Sequence, residues 1–185
     1  QGAQVVVADR LSADALAPAI AALSDCPTIE WILGGYAATD LQGAHAVIVN
    51  PAVRPDDPCL TELVASGVVP LTEIDLFLEA CPAHIVGITG TTGKSSTTAM
   101  LAGILAAEGR RSWQGGNLGG SLLDDVGRMT PDDWVALELS SFQLHHLARS
   151  SPRFDAAIIT NLTPNHLDWH PDMAHYAAAK RRLLT

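Results

Sequence analysis

The stretch Gly87-Ile-Thr-Gly-Thr-Thr-Gly-Lys-Ser-Ser-Thr97 joins two patterns of different periodicity. Residues 84–88, which lead into the stretch, are mostly apolar and predict a strand. Residues 94–108, which begin within the stretch, predict a helix that ends at Gly109. A strand, a glycine-rich loop and a helix in this order are typical of a loop that binds phosphate groups. We therefore predict a phosphate loop at residues 87–97.

The residue types in this loop suit the binding of a nucleotide's phosphate groups. Glycines let backbone N–H groups curl around an anion, and the start of the following helix adds partial positive charge. Lys94 can reach the terminal phosphates of a nucleotide, and the Ser95 hydroxyl can bind Mg²⁺. The strict phosphate-loop pattern asks for glycine where Ile88 stands, so a glycine-rich turn with an incidental lysine is the alternative.

Apolar runs alternate with helical patterns on both sides of the loop. Strands are predicted at residues 4–8, 46–50, 84–88, 134–139 and 156–160, and helices at 13–23, 60–65, 74–80, 94–108 and 173–184. Strands that are apolar along most of their length are typical of parallel sheets with helices on both faces. We predict an α/β fold, with a Rossmann-like N-terminal piece before the phosphate-loop piece.

Charge is distributed unevenly along the 185 residues. Residues 1–85 hold 11 acidic and two basic residues, whereas residues 86–185 hold nine of each. This change indicates a boundary near residue 85, and we predict domains at 1–83 and 84–185. Because no basic stripe could neutralise a polynucleotide backbone, a nucleic-acid partner is not expected.

The composition also limits the cellular setting. With 48% hydrophobic and 17% charged residues, the chain is not of the disordered class. No apolar run approaches the roughly 20 residues of a membrane helix, so a membrane partner is not expected. Cys26, Cys59 and Cys81 lie far apart without a C-x-x-C pair, which argues against a disulfide framework or zinc ribbon and predicts a cytoplasmic protein.

Polar residues follow three of the predicted strands. Glu138 ends strand 134–139, and His166 lies in the loop after strand 156–160. The carboxyl ends of parallel strands meet at one edge, where a carboxylate can bind Mg²⁺ beside the phosphate loop. The alternatives are an acid that caps a turn and a solvated histidine. At the end of the first strand, Asp9-Arg10 could bind a ribose or form a turn.

Other polar residues have weaker signals. Asn117, in a glycine-rich loop, could hydrogen-bond a substrate or adopt a left-handed turn. Asp168 could orient the His166 imidazole or form a turn. His145, His146, His170 and His175 are assigned no functional role.

Three motifs in order resemble the Mur ligases of peptidoglycan synthesis. They are Gly90-Thr-Thr-Gly-Lys-Ser-Ser96, Leu137-Glu-Leu-Ser-Ser-Phe-Gln-Leu144 and Thr160-Asn-Leu-Thr-Pro-Asn-His-Leu-Asp168. The second motif is most similar to the members that add D-glutamate, and Thr72-Glu-Ile-Asp-Leu-Phe77 adds to the likeness. The chain departs from the family at Thr92, Asn165 and residues 50–52, where members often carry Asn, Asp and Ser-Pro-Gly.

The resemblance implies an ATP-dependent amide ligase. ATP would phosphorylate the carboxylate of UDP-N-acetylmuramoyl-L-alanine (UDP-MurNAc-L-Ala), and the amine of D-glutamate would attack the resulting acyl phosphate. It implies a monomer with a UDP-binding domain, a central ATPase domain and a C-terminal domain that residues 1–185 lack, so this piece alone should not ligate. Alternatives are another Mur-type or folylpolyglutamate-type ligase, or a non-catalytic nucleotide-binding relative.

The resemblance also implies residue roles. ATP would bind Gly90, Thr91, Thr92, Gly93, Lys94, Ser95 and Ser96. Catalysis would use Lys94, His166 and Lys180, and two Mg²⁺ ions would be held by Ser95, Glu138, His166 and a Lys180 carbamoylated by CO₂. Substrate would contact Asp9, Arg10, Asn117 and Ser140. Without the resemblance, Lys180 is a base near a helix end that complements the helix dipole.

Overall fold

A computed structural model describes residues 3–26, 28–147 and 154–184. The chain forms two compact units, one of Gln1–Val47 with Pro55–Val69 and one of Ile48–Arg54 with Pro70–Thr185. The phosphate loop belongs to the second unit. The described helices include none long and apolar enough to cross a membrane.

Two parallel strands form the centre of the first unit. Strand β1 (Val5–Asp9) pairs with β2 (Ile29–Leu33), so that Val5 lies opposite Ile29. Helix α1 (Ala17–Ala22) is shorter than predicted because its first turn carries Pro18, which favours a helix start there. Helix α2 (Pro58–Ala65) is confirmed and is capped by Asp57, whose carboxylate accepts from the Leu60 N–H.

A four-stranded parallel sheet forms the centre of the second unit, in the order β4–β5–β3–β6. Its strands are β3 (His84–Thr89), β4 (Ser112–Gly116), β5 (Trp134–Glu138) and β6 (Ala156–Ile159). Its helices are α3 (Glu73–Ala80), α4 (Lys94–Ala107), α5 (Ser141–His146) and α6 (Met173–Arg181), the last followed by a 3₁₀ turn at Arg182–Leu184. The predicted α/β fold is confirmed.

The sheet buries side chains on both faces. One face packs Ile85, Val135 and Leu137 into a cluster with side chains of α3 and α5. The opposite face packs Val86, Ile88 and Ala136 against Leu101 of α4. Alternate residues of one strand therefore enter different cores, which explains why these strands are apolar along nearly their whole length.

Helix α3 packs with the second unit. Its Ile74, Phe77 and Leu78 join the cluster that contains Ile85 and Val135. The compact units therefore divide after Val69 rather than after residue 83. The predicted domains at 1–83 and 84–185 stay a prediction about the domains of a longer enzyme.

One predicted strand is wrong and two strands were not predicted. Residues 46–50 make only a single bridge, from Ile48 to Leu71. There the chain turns, because Asn50 accepts hydrogen bonds from the N–H groups of Ala52 and Val53. Strands β2 and β4 were not predicted. Strand β4 has the sequence Ser-Trp-Gln-Gly-Gly, whose composition is typical of a loop.

Gly116→Ala should destabilise the second unit. Gly116 has a φ of +86°, and an added Cβ would lie 2.1 Å from the backbone oxygen of Glu138. The left-handed strain and the clash should lower the free energy of unfolding by about 3 kcal/mol, measured by urea denaturation. Gly119→Ala is the matched control, because Gly119 has a φ of +87° and no described atom within 4 Å of the added Cβ. The control should cost about 1 kcal/mol; equal losses would contradict the clash.

Candidate nucleotide-phosphate site

The phosphate loop turns through two glycines between β3 and α4. Gly90 has a φ of +151° and Gly93 a φ of +80°, and Gly93 is the N-cap of α4. A Cβ on Gly90 would lie 1.9 Å from Thr160 Oγ1, so a side chain there would clash. The first N–H groups of α4 have no partners within the helix, and its first turn carries no acid, so this helix end favours an anion.

The segment after β6 fastens the loop in place. The N–H groups of Thr91 and Thr92 donate to the backbone and side-chain oxygens of Asn161, both at 3.1 Å. Asn161 Nδ2 and Thr160 Oγ1 both donate to the Thr92 carbonyl, at 3.0 and 2.7 Å. Asn161 was not predicted as a site residue, although its place just after a strand at this sheet edge was a usable signal.

A pocket of about 200 Å³ lies beside the loop. Its lining residues are Gly90, Thr91, Lys94, Asn117, Ser140, Ser141, Phe142, His166, Tyr176 and Lys180. All but Ser141, Phe142 and Tyr176 were predicted as site residues. Tyr176 could have been found from its place four residues before Lys180, which puts both on one side of α6.

Both lysines of the chain line this pocket. Lys94 Nζ donates to the Thr91 carbonyl at 3.0 Å. Lys180 is buried, and its Nζ donates to the Gly90 carbonyl at 2.8 Å and to Thr89 Oγ1 at 3.2 Å. Burial first and the charge of Lys94 next lower the pKa of Lys180 to about 8. Lys180 therefore has a neutral amine at far lower pH than an ordinary lysine.

Glu138 is buried at the end of β5 with one oxygen satisfied. Its Oε1 accepts from Asn117 Nδ2 at 3.0 Å, so the structure places Asn117 as a support for the carboxylate. Its Oε2 is buried and has no hydrogen-bond partner among the described residues. A buried, unpaired carboxylate oxygen suits a cation such as Mg²⁺.

A complete protein ligand set for a metal is not present in the part of the chain that the structure describes. No group of three His, Cys, Asp or Glu side chains there could hold a metal ion. A cation at Glu138 would therefore need its other oxygen ligands from hydroxyl groups or from bound phosphates.

His166 has a left-handed backbone, with a φ of +53°, which is uncommon outside glycine. Its ring packs on Phe142, with 4.8 Å between the ring centroids. Asp168, the predicted orienting acid, accepts a hydrogen bond from Arg54 through its carbonyl. In the described parts of the chain, no hydrogen bond joins the Asp168 carboxylate to His166.

The start of α5 contributes two adjacent serines to the pocket. Ser140 is the N-cap: its Oγ accepts from the Gln143 N–H at 3.1 Å, and the Gln143 side chain accepts from the Ser140 N–H at 2.9 Å. These two reciprocal hydrogen bonds form a capping box at the start of α5. Ser141 is buried and hydrogen-bonds His170, which is itself fully buried.

Asp9 and Arg10 lie in the first unit, at the end of β1. Asp9 Oδ1 accepts from the Leu11 N–H at 2.8 Å, and the Asp9 carbonyl accepts from the Gly35 N–H at 3.2 Å. Arg10 forms an ion pair with Asp57. These contacts match the turn role that the sequence left open, and ribose binding stays a prediction.

Fold and site together define the class of protein. Strand β3 of the parallel sheet leads through a glycine-rich loop into a helix that begins with Lys94 and Ser95. This arrangement defines a phosphate-loop domain. The Mur ligase middle domain matches residues 88–185. The chain belongs to the Mur ligase family.

Individual relatives refine this comparison. The UDP-N-acetylmuramoylalanine–D-glutamate ligase of Clostridium kluyveri is 38% identical over 182 residues, which are 98% of this chain and 39% of that protein. The ligase of the same name from Clostridium novyi is 39% identical, with the same coverage. The chain therefore spans about two fifths of the length of these curated relatives.

A solved structure supports the fold. The UDP-N-acetylmuramate:L-alanyl-gamma-D-glutamyl-meso-diaminopimelate ligase of Neisseria meningitides superposes with a TM-score of 0.56 at 18% identity. The match covers 96% of this chain and 59% of that one. At this identity the likeness concerns the α/β fold alone.

Proposed function

We propose that this chain is part of an ATP-dependent ligase that joins D-glutamate to UDP-MurNAc-L-Ala. The observation that carries the proposal is the identity of 38–39%, along 98% of the chain, with two ligases named for this reaction. The pocket beside the phosphate loop supports it, because Lys94 and Lys180 meet there. Since the chain spans about two fifths of those relatives, the activity is proposed for the complete protein.

In the proposed reaction, the alanyl carboxylate of UDP-MurNAc-L-Ala attacks the γ-phosphorus of ATP, and ADP leaves. The amine of D-glutamate then attacks the acyl phosphate, loses a proton and expels inorganic phosphate, which leaves an amide. The acyl phosphate has a good leaving group, so no protein nucleophile is required. The protein mainly positions the reactants and offsets negative charge.

The described residues divide this work. The glycine loop and the start of α4 bind the ATP phosphates, and the Lys94 ammonium offsets charge on the transferred phosphoryl group. Asn117 and Ser140, which line the pocket, orient the acyl substrate. In the first unit, Asp9 and Arg10 bind the uridine part.

The proposal includes two Mg²⁺ ions, which would neutralise charge on the phosphate oxygens. Ser95, Glu138, His166 and a carbamoylated Lys180 would hold them. The unpaired Glu138 Oε2 supports this assignment. We also propose that the complete enzyme acts as a monomer in the cytoplasm.

Phosphate release by the complete protein tests the function. With ATP and UDP-MurNAc-L-Ala present, D-glutamate should release phosphate and form the amide, whereas L-glutamate and L-lysine should not. Residues 1–185 alone should form no amide. Release with a different amino acid would indicate another Mur-type or folylpolyglutamate-type ligase. Nucleotide binding without release under any condition would indicate a non-catalytic relative.

A further inference from the structure

We infer that His170 is a positioning residue that sets the Ser141 hydroxyl and His166 at the pocket. His170 is not among the residues that line the pocket, so it would act through these two. The inference rests on the proposed function, because it concerns residues of the same site. It assigns a role to a histidine that the sequence alone gave no reason to select.

Three contacts place His170 at the centre of this region. Its side chain is fully buried, with 0% exposure. Its Nε2 lies 3.0 Å from Ser141 Oγ, and its Nδ1 lies 2.8 Å from His175 Nδ1. Its backbone N–H donates to the His166 carbonyl at 2.8 Å. Both ring nitrogens are therefore engaged, and the ring cannot turn without losing a buried hydrogen bond.

The same ring supports His166 through a second route. Phe142 stacks on His170, with centroids 5.7 Å apart and planes 15° apart, and packs on His166 at 4.8 Å. The left-handed backbone of His166 is strained, and such a conformation persists only where its surroundings impose it. The backbone hydrogen bond from His170 and the Phe142 ring supply that constraint.

The ring also determines what the Ser141 hydroxyl offers to a ligand. A neutral imidazole has one donor nitrogen and one acceptor nitrogen. If Nε2 of His170 donates to Ser141 Oγ, the serine proton is free to bond a ligand oxygen in the pocket. If Nε2 accepts, the serine hydroxyl donates its proton to the ring and cannot donate it to a ligand. His175, which faces the other nitrogen, helps to select between these states.

Two similar amides at position 170 separate positioning from packing. In His170→Gln the amide can reach the place of Nε2 and bond Ser141, whereas in His170→Asn the shorter side chain cannot. In the complete protein we expect kcat for phosphate release to stay within about threefold in the glutamine variant. It should fall roughly 30-fold or more in the asparagine variant, because small displacements at a reacting centre are costly. Thermal unfolding of both variants monitors the loss of packing.

A second substitution tests whether His170 acts through Ser141. In a Ser141→Ala background the glutamine and asparagine variants should have equal kcat, because the hydrogen bond that distinguishes them is gone. His84→Gln serves as a control for losing a histidine elsewhere in this unit, since His84 stacks on Trp134 at the start of β3. This control should leave kcat unchanged.

An NMR measurement keeps the inference testable independently of ligation. With labelled histidine, the ring resonances of His166 should move further in His170→Asn than in His170→Gln, because both variants lose the ring that stacks on Phe142 but only the glutamine variant keeps a hydrogen bond to Ser141. If the wild-type protein forms no amide, the proposed function fails, but the His166 resonances still test whether His170 positions His166. Equal kcat in the two variants, or unmoved His166 resonances in both, would overturn the inference.

Discussion

Lys94→Ala in the complete protein should lower ATP turnover by about a thousandfold or more and leave the fold intact. Lys94 stands at the first position of α4, and its Nζ reaches back to the Thr91 carbonyl inside the pocket. Its ammonium is thus placed where phosphate oxygens would bind, and a positive charge at such a position stabilises phosphoryl transfer. Phosphate release measures turnover, and thermal unfolding measures the fold.

Lys94→Met is the matched variant, because it keeps the length of the side chain and removes its charge. Both variants should be equally inactive if charge is what matters. A small loss of stability is expected, because the side chain is only half-buried and accounts for one hydrogen bond to the loop. Turnover within tenfold of wild type in either variant would contradict the phosphate-loop assignment.

Lys180→Ala should also abolish most of the activity, by about a hundredfold or more, with partial rescue by a short carboxylate such as acetate. Because burial and the charge of Lys94 lower its pKa to about 8, Lys180 has a larger neutral fraction near pH 7 than an ordinary lysine. A neutral amine can add to CO₂: an N–C bond forms, a proton leaves, and a carbamate with two oxygens results. That change would replace a cation by an anion that could help to hold the proposed Mg²⁺, in a region where the charge of Glu138 already acts on Lys180.

Arg181→Ala is the control for the simpler explanation. Arg181 is the neighbouring base in the last turn of α6 and is exposed to solvent. If Lys180 only complemented the helix dipole, the two alanine variants would lose similar, small amounts of activity. Full activity of Lys180→Ala without added carboxylate would refute the carbamate. As the pH rises towards 8, the neutral fraction of Lys180 grows, so carbamoylation should increase.

Much of the fold was predictable because its signals are local. The apolar strands β1, β3, β5 and β6 and the helix α4 were predicted close to their observed bounds. Strand β4 was missed because its residues do not have strand character. Its hydrogen bonds to β5, with Ser112 opposite Trp134, make it a strand.

The candidate site was partly predictable for a geometric reason. The carboxyl ends of parallel strands meet at one sheet edge, so polar residues after β3, β4 and β5 and in the loop after β6 converge. Lys94, Asn117, Ser140 and His166 followed from that rule or from the family motifs. Lys180 followed from the family resemblance alone, because a lysine near a helix end is unremarkable by itself.

The amino-acid sequence alone therefore established the fold class, the phosphate loop and most residues around the pocket, since these depend on local patterns and on strand ends. It could not establish that His170 is buried, that Asn161 fastens the loop or that Lys180 bonds Gly90. Those facts depend on side chains brought together from far apart in the chain; Lys180 and Gly90 are 90 residues apart. Burial and hydrogen-bond partners arise from such long-range packing, which no local pattern encodes.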